Sequence, residues 1–245
     1  MATRVHIGSS QLRGEVAAYA KRFDLLEVRG VDAANQKLAP SKATLRRWRR
    51  AVPPHFEFAV VAGPNLGKLR PGEALDAELE VMLATATTLE SRLLVIPTPP
   101  DVTPSKLWRD RFAALLERLP RDVSTIVWEP SGLWELEDAA VQARAWGVVL
   151  SVDPARDIVP VGPVAFGRLR ALGGTRAYST AAIEKVARAI GERRDAYVVF
   201  ETANALKEGK TLRSVMRSLG SKKTGGLTRL VRPRGSPIEV EDEDD

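Results

Sequence analysis

A TIM barrel, the α/β cylinder of eight parallel strands, is the fold class the sequence predicts, on three observations. Eight short apolar and β-branched runs alternate with about seven helix-patterned stretches. The 245 residues are a length typical of that architecture. The turn after the first strand, Gly8-Ser9-Ser10, lacks the GxGxxG spacing that the alternative, an open doubly wound sheet, usually carries there.

The elements follow in order. The first strand is read at residues 3–8 (TRVHIG) and its helix at 11–22; the second strand lies at 23–29 (FDLLEVR). After a loop, residues 41–51 (SKATLRRWRRA) read as a helix with Ser41 as N-cap. There Trp48 covers the outer wall of the barrel and the arginines face solvent. The third strand, 55–62 (HFEFAVVA), stops at Gly63-Pro64 and precedes a long helix at 73–90. The fourth, 92–96 (RLLVI), is broken by a proline-rich loop before a helix at about 105–118. Strand five is 123–129 with a helix at about 133–146, and strand six is 148–153. Residues 154–163 show no helical pattern, so the sixth crossover is expected to be irregular. Strand seven (164–171), a helix at 180–194, strand eight (196–201) and a last helix at about 204–219 complete the plan, with about seven helices in all. Residues 1–219 thus form one domain. From Gly220 the chain is first basic, Gly- and Pro-rich, then acidic, and reads as a disordered tail.

Composition narrows the chemistry. A chain 44% hydrophobic and 28% charged, with no long apolar run, is expected to be a soluble globular protein with no membrane association. The N-terminus enters a strand pattern directly, which makes the cytoplasm the expected location. Cysteine is absent, which excludes disulfides, thiolate catalysis and cysteine-held metals. His6 and His55 are the only histidines, too few for a multi-histidine metal centre. Six of the 31 acids stand in the last eight residues without a base; residues 1–237 therefore hold 37 bases and 25 acids, a net +12. A body that basic attracts anions and polyanions.

The order of motifs resembles the YecE-like family, TIM-barrel proteins of unassigned activity also known as domain of unknown function 72. It rests on VHIGSS, FDLLEV, the run LAPSKATLRRWRRAVPPHFEFAV, VWEPSGLW, LSVD, FGRLR and AYVVF, and covers about residues 3–219. Several family positions differ here. Asp32-Ala33-Ala34-Asn35-Gln36 replaces a threonine-phenylalanine-tyrosine segment, and Val61 replaces a lysine. Pro130 and Ser131 follow Glu129, Arg170 stands in place of a histidine, and Glu201-Thr202 in place of two asparagines. The resemblance implies a TIM barrel and leaves the activity open.

In such a barrel the ligand site lies at the C-terminal ends of the strands. Strand alternation brings four acids, Glu27, Glu129, Asp153 and Glu201, to one rim with three bases, Arg29, Arg168 and Arg170. Two readings follow. The groups neutralise one another and close the barrel top, or Glu27, Glu129 and Asp153 act in acid–base catalysis or hold a hard cation such as magnesium while the arginines and Glu201 bind ligand. After strand seven, Gly173-Gly174-Thr175-Arg176 could offer backbone N–H groups and a cation to a phosphate. The expected function is therefore binding of a small anionic, phosphate-bearing ligand at the mouth, with hydrolase or phosphoesterase chemistry as the reaction class. The alternative is an inactive barrel that binds nucleic acid or a protein through its basic surface and tail.

Overall fold

The computed structural model describes residues 3–29, 40–170, 177–191 and 193–225. Its strands are β1 (Arg4–Ser9), β2 (Leu25–Arg29), β3 (Glu57–Val61), β4 (Leu93–Pro97), β5 (Thr125–Glu129), β6 (Val149–Val152), β7 (Val164–Leu169) and β8 (Asp195–Phe200). Each is parallel to the next, and β8 pairs with β1 to close the barrel. The helices are α1 (Val16–Ala20), α2 (Lys42–Ala51), α3 (Pro64–Gly67), α4 (Glu73–Leu89), α5 (Lys106–Leu116), α6 (Leu136–Trp146), α7 (Thr180–Ile190) and α8 (Ala205–Gly225). Among the described residues, none of them is long and apolar enough to cross a membrane.

The period of two along each strand sorts the apolar side chains into two cores. Leu25, Val95, Val127, Phe166 and Val199 fill the cylinder. Their alternates, such as Leu26, Ile96, Trp128, Val198 and Phe200, pack against the helices. Both inner and outer faces of the strands are therefore apolar, as a sheet covered on both sides requires. Ser41 caps α2 by accepting from the Thr44 N–H at 3.2 Å, and Trp48 packs on the outer core as expected.

Three details depart from or extend the sequence reading. α1 starts only at Val16, because Gly14 lies in the left-handed region (φ 76°) and interrupts the pattern that began at residue 11. α3 was not expected. It begins with Pro64 at its first turn and is held by α4, whose buried Glu78 accepts from Asn65 Nδ2 and the Leu66 N–H, both at 2.8 Å. A Cβ at Gly67 would come within 2.3 Å of the Pro97 carbonyl, so only glycine lets α3 sit on the end of β4. α8 runs to Gly225, past the expected boundary at 220, because a glycine inside a helix weakens it without ending it. Residues 226–245 lie outside the described residues.

The sixth crossover, 153–163, forms turns and bends with no helix, as expected. Beside it a groove of about 670 Å³ opens against α6, lined by Ala140, Ala143, Val149, Val159 and Pro163 among others.

Candidate functional site

The alternation that points Leu25, Val127, Phe166 and Val199 into the cylinder gives the residue two further along the same direction. Those residues are Glu27, Glu129, Arg168 and Glu201, and they meet. Arg168 Nη1 and Nη2 donate to the two carboxylate oxygens of Glu27 at 2.9 and 2.5 Å. Its Nε donates to Glu129 at 2.8 Å, and Nη1 donates also to Glu201 at 2.7 Å. The guanidinium lies 5.7 Å from the centre of the Phe166 ring beneath it. Side-chain exposure is 3% at Arg168 and 0% at Glu27, so this pair is dry. Burial by itself would loosen the Arg168 proton, but the hydrogen bonds and charges of Glu27, Glu129 and Glu201 outweigh it and raise its proton affinity.

Arg170, two residues on and 47% exposed, forms the upper layer. It donates through Nη2 to Glu129 and through Nε to Glu201 at 3.2 Å. Three carboxylates and two guanidinium groups thus interlock across β2, β5, β7 and β8. The position that a cation would take among these acids is filled by the Arg168 guanidinium. Among the described residues, no group of three or more His, Asp or Glu side chains is placed to hold a metal ion.

Asp153, at the end of β6, stands apart from this cluster. Its Oδ1 accepts from the Ala155 N–H at 3.0 Å, and the Tyr178 hydroxyl lies 3.0 Å from Oδ2 and 2.7 Å from the Arg170 carbonyl. Arg156 Nε is 3.8 Å from Oδ2. Burial pushes the Asp153 carboxyl above its ordinary value, against the hydrogen bonds from Ala155 and Tyr178 and the charge of Arg156. Burial and the adjacent carboxylate likewise push the Tyr178 hydroxyl up.

Between the two groups lies a cleft of about 350 Å³, lined by Glu129, Trp134, Asp153, Arg156, Arg168 and Arg170 among others. That volume is at the small end of the range for ligand pockets. Trp134 is fixed there by its indole N–H, which donates to the Val102 carbonyl at 2.8 Å. Arg29 is exposed at the end of β2 and has no part in the network. Gly173, Gly174 and Arg176, like the 32–36 segment, lie outside the described residues. His6 stacks on Tyr197 inside the barrel with ring centres 4.9 Å apart, away from the mouth. Sequence reasoning missed Tyr178 and Arg156. Tyr178 immediately precedes Ser179, the N-cap of α7, and a residue between a barrel strand and the cap of its helix belongs to the mouth, which is the signal that could have found it.

The fold and this charged opening define a (β/α)8 barrel of the kind that carries its site at the C-terminal face. The family described as protein of unknown function DUF72 matches residues 8–234, and the chain belongs to it. A DUF72 family protein from Enterococcus faecalis superposes with a TM-score of 0.66 at 17% identity, over 88% of this chain and 98% of that one. A DUF72 family protein from Thermotoga maritima gives 0.66 at 15%, over 89% and 99%. A xylose isomerase domain containing protein from Salmonella typhimurium gives 0.56 at 16%, over 89% and 97%. At these identities the likeness is one of fold. No curated protein sequence matches the chain.

Proposed function

We propose that the protein binds a small anionic, phosphate-bearing molecule in the cleft between the ends of β5, β6 and β7. The observation that carries this reading is Arg170. It is held in place by Glu129 and Glu201, lines the cleft, and is half-exposed. Two of its five N–H donors meet carboxylates, and among the described residues the others have no partner and can serve a ligand. A guanidinium positioned in this way presents a fork that suits a phosphate or carboxylate, with little freedom left to lose on binding. Arg156 supplies a second cationic wall and Trp134 an apolar one. Arg168 and its carboxylates form the floor.

Asp153 is the group in this cleft suited to exchange a proton with a bound molecule, because burial favours its neutral form. A phosphoesterase-type reaction is the chemistry that such a pairing of anion-holding arginines and a proton-exchanging carboxyl supports. Calorimetric titration with inorganic phosphate and a set of phosphate monoesters tests the binding, and release of phosphate tests turnover. Arg170→Gln is expected to weaken binding by about 10- to 100-fold, the equivalent of losing charge-assisted hydrogen bonds. Asp153→Asn is expected to abolish turnover while binding persists. Equal affinity in Arg170→Gln and wild type would overturn the proposal.

A further inference from the structure

α2 packs its inner face on the barrel and turns a face of uniform charge outward. Inward, Leu45 is buried and Trp48 packs on the core. Arg49 belongs to that side too: its guanidinium donates to the Phe56 carbonyl at 3.1 Å and the Pro53 carbonyl at 2.6 Å, and lies 5.5 Å from the centre of the Phe58 ring. The exposed residues of α2 are Lys42, Ala43, Arg46, Arg47, Arg50 and Ala51, every one a cation or an alanine. Among the described residues, none of these four cations has an ion-pair or hydrogen-bond partner.

Alanine, arginine and lysine are strong helix formers and Arg50 in the last turn suits the helix dipole, but propensity does not require cations of one sign with no acid among them. Lys42, Arg46 and Arg50 succeed one another at i, i+4, where like charges destabilise a helix. Lys42 also stands at the positive end of the helix dipole, and the first turn holds no acid to oppose it. A row of like charges kept together against their own repulsion is the mark of a surface shaped by a partner. The chemistry of the face selects that partner. It offers no large apolar side chain, so it has neither the wedge that enters a bilayer nor the dry centre of a protein interface. A line of cations about 6 Å apart along the axis, with alanines that admit close approach, matches the repeating charge of a phosphate backbone. Beside α2 packs α1, which is followed by exposed Lys21 and Arg22.

We infer that the outer face of α2 docks on the phosphate backbone of double-stranded nucleic acid, independently of base sequence and of the cleft at the barrel mouth. Fluorescence anisotropy of a short labelled DNA duplex, titrated with the full chain over a series of salt concentrations, tests it. Arg46→Gln together with Arg50→Gln is expected to weaken binding at least about tenfold at low salt and to lower the salt slope by about 2, near 0.9 for each phosphate that no longer meets a cation. Because the tail cations are present in both proteins, the difference reports on α2. The melting temperature should stay unchanged or rise, and Arg170→Gln should bind the duplex as wild type does. Equal affinity and slope in the double variant would overturn the inference. So would binding to phosphatidylserine vesicles as tight as to duplex and equally sensitive to the substitutions.

Discussion

The Tyr178 hydroxyl has one proton and two acceptors, the Arg170 carbonyl and Asp153 Oδ2. That proton is shared between them, and the bond that Tyr178 donates to Asp153 favours the ionised carboxylate. Burial outweighs that bond and raises the Asp153 carboxyl above its ordinary value. A carboxyl raised in the folded state contributes stability that is complete below its unfolded value and is lost as pH rises through its folded one. Asp153→Asn, neutral throughout, should therefore melt higher than wild type by a margin that grows as pH rises from about 4 in a calorimetric scan. A margin that is flat or shrinks over that range would contradict the arrangement. At this scale the sequence was informative where counting by two along a strand sufficed. Glu27, Glu129, Arg168 and Glu201 follow from the inward residues Leu25, Val127, Phe166 and Val199. Tyr178 and Arg156 stand on connections, where no period fixes a direction. Which acid pairs with which base depends on the curvature of the closed barrel, and no local pattern encodes that.

Among the elements, β6 is the least supported. Four residues long, it pairs with β5 through Val127–Val149 and Trp128–Leu150, and with β7 through Ser151–Phe166 and Val152–Gly167. β8 by contrast pairs along its whole length with both neighbours. No helix covers the crossover that follows β6, and the groove against α6 opens there. Hydrogen exchange should find the β6 amides among the first of the strands to exchange and those of β8 among the last, since local opening follows sparse burial and pairing. Protection of β6 equal to that of β8 would count against this. The absent helix was legible in residues 154–163 because that stretch has no 3.6-residue period. α3 was not, because its four residues are too few to show one and its stability comes from Glu78 on the next helix.

Across the whole molecule, Arg168 is the point where four strands are tied to one side chain. Replacing it by Met would leave Glu27, Glu129 and Glu201 facing one another with only Arg170 between them. Removing one partner of a buried ion pair costs about 3–5 kcal/mol, and Arg168→Met should lower stability to denaturant by that order. Adding Glu27→Gln to Arg168→Met should recover part of the loss, whereas independent effects would simply add. The bond from Arg168 to Glu27 joins positions 141 apart in the chain, so it forms only once strands from both halves have been brought together. It is therefore a late event on the way to the native state and an early obstacle on the way out. In stopped-flow measurements, Arg168→Met should accelerate unfolding and leave the refolding rate nearly as it was, which makes this arginine a kinetic latch on the finished cylinder.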